Sequence, residues 1–278
     1  MIKLLASLIC VSVLLMAGAK PVNTVTLTAL EVVSGSDIEQ AILLATGYGS
    51  HPGTVILDSS EGDFVFSEAD KTINIFVSDV TLMSKNAARI IDCEGAINFD
   101  AVPAHNVTIE GIQFICSGDG FFSSGYYNTG IKILNNLISV PGYGLDLGSI
   151  GDSTIKNNVI QAGTGIHISD TSNQVRIQRN WITAESIGIF LHDVDQNQVV
   201  NNQIRAGWQG VLLGNGSDKN MVTANKISNV NQSGIALEGN NHNNQIHGNR
   251  VACAPESACL VIDASIEGFG QNNIHGNR

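Results

Sequence analysis

Charge is what this chain has least of. Only 14% of its residues are Asp, Glu, Lys or Arg, where about 25% is usual in a soluble domain. Cations are scarcest: 14 Lys and Arg stand against 25 Asp and Glu, for a formal net charge of −11. A surface of that sign repels phosphate backbones, which excludes general nucleic-acid binding. Proline is limited to 5 residues, so a collagen is excluded along with a coiled coil. The longest apolar stretch, residues 4–16, falls short of the roughly 20 residues that span a bilayer, which excludes a polytopic membrane protein. Among the 5 cysteines no C-x-x-C pair occurs, so no four-cysteine zinc pattern is present. What is abundant is Gly, at 29, and Asn, at 28, in a chain that is 43% hydrophobic. That mixture is too apolar for disorder and too rich in turn formers for a helical protein.

The start of the chain reads as a secretory signal over residues 1–19. Lys3 supplies the positive end, residues 4–16 the apolar stretch, and Ala17-Gly18-Ala19 the small-residue cleavage pattern. Cleavage before Lys20 removes Cys10 and leaves four cysteines in an oxidising compartment, secreted or periplasmic. Cys253 and Cys259 bracket a short segment that can close as a loop disulfide. Cys93 and Cys116 lie 23 residues apart and form the second expected bridge.

Beyond the leader the sequence repeats itself. A frame I-x-x-N-x-I recurs with its Asn at positions 136, 158, 180, 202, 225, 249 and 277, so successive gaps are 22, 22, 22, 23, 24 and 28 residues. Ile177-Gln-Arg-Asn-Trp-Ile182 is a full copy. Ile109-Glu-Gly-Ile-Gln-Phe114 is a weaker one, with Ile112 where Asn would stand. A second frame, G-apolar-x-apolar, runs between these as Gly144-Leu-Asp-Leu147, Gly165-Ile-His-Ile168, Gly188-Ile-Phe-Leu191, Gly210-Val-Leu-Leu213 and Gly234-Ile-Ala-Leu237. Each period thus holds at least two short strands whose side chains alternate inward and outward. Such strands cannot bury their apolar faces alone, and they must stack in parallel on the same strand of the next period. The Asn column is structural: Asn tolerates the positive φ that turns require, and stacked amides hydrogen-bond from one coil to the next.

In these two frames the chain resembles the right-handed parallel β-helix repeats of the pectin-lyase-like superfamily, over residues 54–278. The resemblance implies an all-β solenoid of about nine coils. No enzyme signature of that superfamily is complete. Asn128-Thr129-Gly130 lacks the Asp of the polygalacturonase-like set, the pectate-lyase-like calcium motifs are absent, and Tyr143-Gly-Leu-Asp-Leu147 lacks the Pro-His-Asp of the alginate-epimerase-like motif. The leader and repeats are also similar to those of the β-helix proteins of nitrous-oxide-reductase maturation, which define no residue motif to carry over.

Residues 20–53 form the N-terminal segment. Ser36-Asp-Ile-Glu39 reads as a capping box opening a helix to about Ala45, which would cover the open end of the solenoid. The first strand is expected at Gly53-Thr-Val-Ile-Leu57. At the other end Ile274-His-Gly-Asn277 begins a coil without a visible cap, so self-association there is an expectation.

Candidate chemistry sits on outward positions. In the Gly frame the middle residue faces solvent, giving a column of Asp146, His167, Phe190, Leu212 and Ala236, with Gly148, Ser169, His192, Gly214 and Glu238 two positions on. Asp146, His167, His192 and Asp193 are therefore the catalytic candidates, a carboxylate beside an imidazole being a general acid/base pair. Phe190, Trp181 and Trp208 are candidate platforms for a sugar ring. Lys132, Lys156 and Arg176 are expected on the sheet of Trp181, outward on three consecutive coils, as a stripe for a uronate or sulfate. No metal site is assigned and no cofactor is indicated by motif. Three functions stay open. The first is a secreted β-helix that binds a polysaccharide or cell-surface glycan and modifies it by lyase, epimerase or hydrolase chemistry. The others are a non-catalytic surface or matrix solenoid and a periplasmic metal-cofactor accessory protein. The expected partner is a glycan, with no nucleic acid, and no membrane after signal cleavage.

Overall fold

Three strands of a few residues each make one turn of this chain, and the turns stack into a right-handed solenoid. The structure, a computed structural model, describes residues 23–67, 69–255, 260–263 and 272–278. The expected leader at residues 1–19 lies outside them, as does Cys259. About nine coils build three parallel sheets. Sheet A has eleven strands, from Thr24–Thr28 to Asn273–His275. Sheet B has nine, from Phe64–Val65 to Arg250–Cys253, and sheet C nine, from Ile73–Asn74 to Leu260–Asp263. Sheet A takes a strand earlier than expected, because Thr24–Thr28 pairs in register with Gly53–Asp58. Among the described residues no helix is long and apolar enough to cross a membrane.

The interior is columnar. Ile133, Ile155, Ile177, Val199 and Val222 face inward from sheet A, and Ile138, Ile160, Ile182, Ile204 and Ile227 from sheet B, each 1% exposed or less. Fully burying such a side chain contributes about 1.5–3 kcal/mol. Sheet C approaches this stack so closely that its strand starts must be glycine. A Cβ on Gly165 would lie 2.4 Å from Cγ2 of Ile182, and one on Gly188 2.3 Å from Cγ2 of Ile204. This close approach, rather than backbone freedom, explains the Gly frame.

The Asn column closes the turn between sheets A and B. Asn158 accepts on Oδ1 from the backbone N–H of Asn136 at 2.9 Å and from its Nδ2 at 3.2 Å. Its own Nδ2 donates to Ile133 O at 2.8 Å and to Asn180 Oδ1 at 3.0 Å. The pattern repeats from coil to coil through Asn180, Asn202, Asn225, Asn249 and Asn277. The left-handed residue is not the ladder Asn but the one before it: Asn135, Asn157, Arg179, Asn201 and Ala224 all have φ between 55° and 58°. A second ladder, which the frame did not reveal, runs through Asn197, Asn220, Asn244 and Asn272 in the turn before sheet A. Both amide functions are thereby satisfied in a buried site, where an unpaired polar group costs about 1–3 kcal/mol.

The N-terminal coils are filled differently. Phe64, Phe66, Phe99, Phe114 and Phe121 are all fully buried, with Phe114 and Phe121 edge to face at 5.1 Å. Cys93 and Cys116 face each other on neighbouring strands of sheet B and are disulfide-bonded. Cys253 is also disulfide-bonded, while its expected partner Cys259 is outside the described residues.

The helix Gly35–Ala45 packs over this end. Its cap is Ser34, not Ser36, and Asp37 completes the capping box by accepting from Ser34 N at 3.0 Å. Glu39 is free to do something else: its carboxylate accepts from the backbone N and Nδ2 of Asn74, tying the helix to sheet C. Burial raises the Glu39 pKa above the ordinary carboxylate value, against the lowering effect of the Asn74 hydrogen bonds.

Candidate functional site

The middle residues of the Gly frame form one column on the outside of sheet C because the strands pair in exact coil register: Phe122, Asp146, His167, Phe190, Leu212 and Ala236. Asp146 Oδ1 lies 2.8 Å from His167 Nδ1. A carboxylate only accepts, so the neutral imidazole carries its proton on Nδ1 and leaves Nε2 as a lone-pair nitrogen. That Nε2 is buried and has no hydrogen-bond partner; the centre of the imidazole ring lies 5.7 Å from that of Tyr143 and 4.8 Å from that of Phe190.

Phe190 differs from expectation. It is stacked on His167 at an interplanar angle of 18°, so that face is taken, and its ring edge reaches over Gly214 of the next coil, where a Cβ would lie 2.9 Å from it; His192, on the same strand, lies beside it. Leu212 and Ala236, read as solvent-facing, are 5% and 1% exposed; on these coils the outer side of sheet C is covered. His192 joins the ring stack, 6.3 Å from His167. Asp193 does not. It lies in the turn from sheet C to sheet A and makes no side-chain hydrogen bond among the described residues.

That turn forms a concavity. Asn173, Gln174, Asp193, Asp195, Gln196 and Asp218 line a groove of about 440 Å³. A second hollow of about 350 Å³ shares Gln174 and Gln196 with it and extends to Asp152 and Arg176, so the two form one polar trough. Asp195 Oδ1 accepts from Asp218 N at 3.1 Å, and Asp218 in turn lies 3.4 Å from His242 Nδ1. At its N-terminal side stand exposed aromatic rings: Phe122, Tyr126, Tyr127 and Tyr143, between 37% and 44% exposed. Tyr127 Oη accepts from Asn173 Nδ2 at 3.0 Å, which ties this group to the trough. The repeat frame could not point to these aromatics, because Tyr126 and Tyr127 belong to a turn outside it. Gln and Asp repeated at coil spacing (Gln174 with Gln196, 22 residues apart, and Asp170 with Asp193, 23 apart) were the available signal for the trough.

The expected basic stripe is corrected by the register. Lys132, Lys156 and Arg176 are on sheet A, whereas Trp181 is on sheet B. Lys132 aligns with Thr154 and Arg176, while Lys156 aligns with Leu134 and Gln178, two residues away. The period here is 22 residues, which pairs Lys132 with Thr154 and Arg176; Lys156 lies 24 residues from Lys132 and so falls in the neighbouring column. Arg176 spends its guanidinium on Gln198 Oε1, at 2.9 and 3.1 Å. Trp208 leaves the sheet B strand Gln203–Ala206 and is 50% exposed.

Fold and repeats define a right-handed parallel β-helix. Residues 144–278 match the family described as "Right handed beta helix region". Residues 46–206, more than half of the chain, match "Periplasmic copper-binding protein (NosD)", and the chain belongs to that family. No curated protein matches it. Solved structures share the fold. DFA-IIIase from Arthrobacter chlorophenolicus A6 in complex with DFA-III is 14% identical, with a TM-score of 0.67 over 92% of this chain and 75% of its own. PfbA, a surface adhesin of Streptococcus pneumoniae, is 14% identical, with a TM-score of 0.68 over 91% and 79%. The Dettilon tailspike protein (gp208) is 16% identical, with a TM-score of 0.60 over 92% and 62%.

Proposed function

We propose that this protein is a polysaccharide-binding β-helix of an oxidising compartment, periplasmic or extracellular, and that the glycan lies in the trough between sheets C and A. The observation that carries this reading is the trough itself. Its carboxylates and side-chain amides recur from coil to coil and present acceptors and donors to sugar hydroxyls, with Asp195 held by the Asp218 backbone N–H, and exposed tyrosines stand at its end. Neighbouring coils are about 4.8 Å apart, close to the length of one sugar unit in an extended chain. The Cys93–Cys116 disulfide supports the compartment, since such bonds persist where thiols are not kept reduced. The DFA-III complex, the adhesin and the tailspike among the structural neighbours are consistent with a glycan-facing role.

A second reading, chemistry at His167, is favoured by the 2.8 Å contact to Asp146. That pair has the form of a general base and the group that orients it. Its Nε2 is buried and without a partner, so turnover requires the side chains around it to move first. Binding needs no such movement and is the reading preferred here. The family takes its name from copper binding. Among the described residues no three His, Cys, Asp or Glu side chains gather. The imidazole pairs that approach, His167 with His192 and His247 with His275, are stacked within 23° of parallel, and in-plane lone pairs on parallel rings do not converge on one ion. These residues do not fit the metal, and no step is derived through it.

The test is affinity electrophoresis and calorimetry of the purified protein against neutral and uronic polysaccharides, with product release followed in parallel. Asp193→Asn combined with Asp218→Asn, and separately Tyr127→Ala, should weaken glycan binding about tenfold or more. If no glycan in a broad panel is retained by the wild-type protein, the reading fails. Release of product that is lost in His167→Asn would move the assignment to the second reading.

A further inference from the structure

The outer face of sheet B is unlike those of the other two sheets. One register column runs Leu137, Val159, Trp181, Gln203, Lys226, Arg250. The neighbouring column carries Ile91 and Ile115 toward one end and Arg205 toward the other. From the strand Gln113–Cys116 onward neither column holds an Asp or Glu. Val159 is 48% and Trp181 57% exposed. Both tryptophans of the chain belong to this side, since Trp208 stands where the chain leaves the strand that carries Arg205. Arg205, Lys226 and Arg250 sit on three consecutive coils, and their side chains make no ion pair or hydrogen bond among the described residues. In a chain of net charge −11, a carboxylate-free face with unpaired cations, exposed aliphatic side chains and both indoles is a distinct surface.

Sugar hydroxyls do not cover Val159 or the aliphatic positions beside it, whereas a lipid surface does. Indoles settle at the head-group level of bilayers, and Lys and Arg are drawn to anionic head groups. We propose that sheet B docks the protein reversibly on an anionic phospholipid surface, the indoles and Val159 entering the head-group layer and Arg205, Lys226 and Arg250 pairing with lipid phosphates. The trough is on another side of the solenoid, so a glycan there stays open to solvent. This inference goes beyond the glycan reading and does not depend on it. Glu185, in the turn that follows the strand Trp181–Ala184, is the acidic residue next to the face in sequence and opposes the docking.

The experiment is co-sedimentation with vesicles containing phosphatidylglycerol, using pure phosphatidylcholine vesicles to control for insertion of the apolar segment at residues 4–16. Binding to the anionic vesicles should exceed binding to the neutral ones, weaken with salt, and shift tryptophan emission to the blue while shielding it from iodide. Each cation should be worth about fivefold in affinity, so the triple variant Arg205→Gln, Lys226→Gln, Arg250→Gln should lose about a hundredfold. Trp181→Ser should lose several-fold with its salt dependence unchanged, and Glu185→Gln should bind more tightly. All five side chains point outward or lie in turns, so unchanged thermal melting shows that folding is not the cause. Equal binding to both vesicle types, or wild-type binding by the triple variant, overturns the proposal. It also falls if the triple variant instead loses binding to soluble polyuronate, or a dimer seen by sedimentation velocity, while vesicle binding is absent. The trough variants Asp193→Asn and Asp218→Asn should leave vesicle binding unchanged, which separates failure here from failure of the glycan reading.

Discussion

The coils before residue 125 and those after it solve the same packing problem in two ways. The earlier ones fill the cylinder with five buried phenylalanines, a disulfide and a covering helix. The later ones use columns of Ile and Val with an amide ladder at each of two turns. Aromatic rings are large and can tilt to suit an irregular cross-section, so the early coils tolerate turns of differing length. An amide ladder demands that each Asn stand at one fixed distance from the next, and in return it satisfies every buried polar group of its turn. One half is held by shape and the other by period.

The sharpest way to break the later half is to disturb its close approaches. Gly188→Val should cost at least about 4 kcal/mol, because a Cβ there would meet Ile204 and Gly210 O at 2.3 and 2.5 Å; loss of soluble, cooperatively melting protein is the readout. In the earlier half, Phe114→Ala should cost about 3–5 kcal/mol, measured by denaturant unfolding. Removing the Cys93–Cys116 bridge by a double Ser substitution should cost about 3 kcal/mol for a closure of this length, and reduction of the wild-type protein should reproduce the loss. Asn180→Ala should cost about 2 kcal/mol, since it leaves Asn158 N–H and Ile155 O without their partners. An equal cost for Asn180→Ala and for the same change at Asn98, half-buried in the earlier coils, would undo the distinction drawn between the halves.

The smallest effect is a pH dependence at the N-terminal end. Asp58 is held well below the usual carboxylate range, chiefly by the Lys85 ammonium at 2.6 Å and then by the Ser60 backbone N–H. A carboxylate with a depressed folded-state pKa contributes stability above its unfolded value near 4, and that contribution is lost as pH falls below it. Melting temperature should therefore drop less between pH 6 and pH 3 in Asp58→Asn than in the wild-type protein. Glu39 acts with the opposite sign, because its raised pKa favours the folded state at low pH. In Glu39→Gln the acid loss should be slightly steeper.

The fold was legible because its determinants are periodic: a Gly that must make room and an Asn that must bond recur at coil spacing. The left-handed residue was misplaced by one position because Asn satisfies both demands, φ > 0 and an amide ladder, and only the neighbours Arg179 and Ala224 show that they are separate. The second ladder was hidden because its column begins with Val107, Ile131 and Ser153 and turns to Asn only at 197. The candidate site was half legible. Asp146 and His167 share a frame position, so their adjacency follows from the repeat. Lys156 fell out of line because it sits two residues beyond the position that pairs with Lys132. Phe190 was misjudged because its ring stacks on His167 of the coil before, a contact that no single period displays.

The seating of Ile against Gly joins neighbouring coils rather than residues of one coil: Ile182 fills the notch at Gly165, and Ile204 the notch at Gly188, each one coil further on. Mechanically this is a chain of interlocks. A torque about the long axis, or a shear that slides one coil over the next, must first lift a methyl group out of the glycine notch of the coil before it. Hydrogen bonds between coils resist stretching, and these plugs resist twisting, so the rod is stiff in both modes. A tensile load is then carried by the coils in turn, each yielding as a discrete step when its plug comes free.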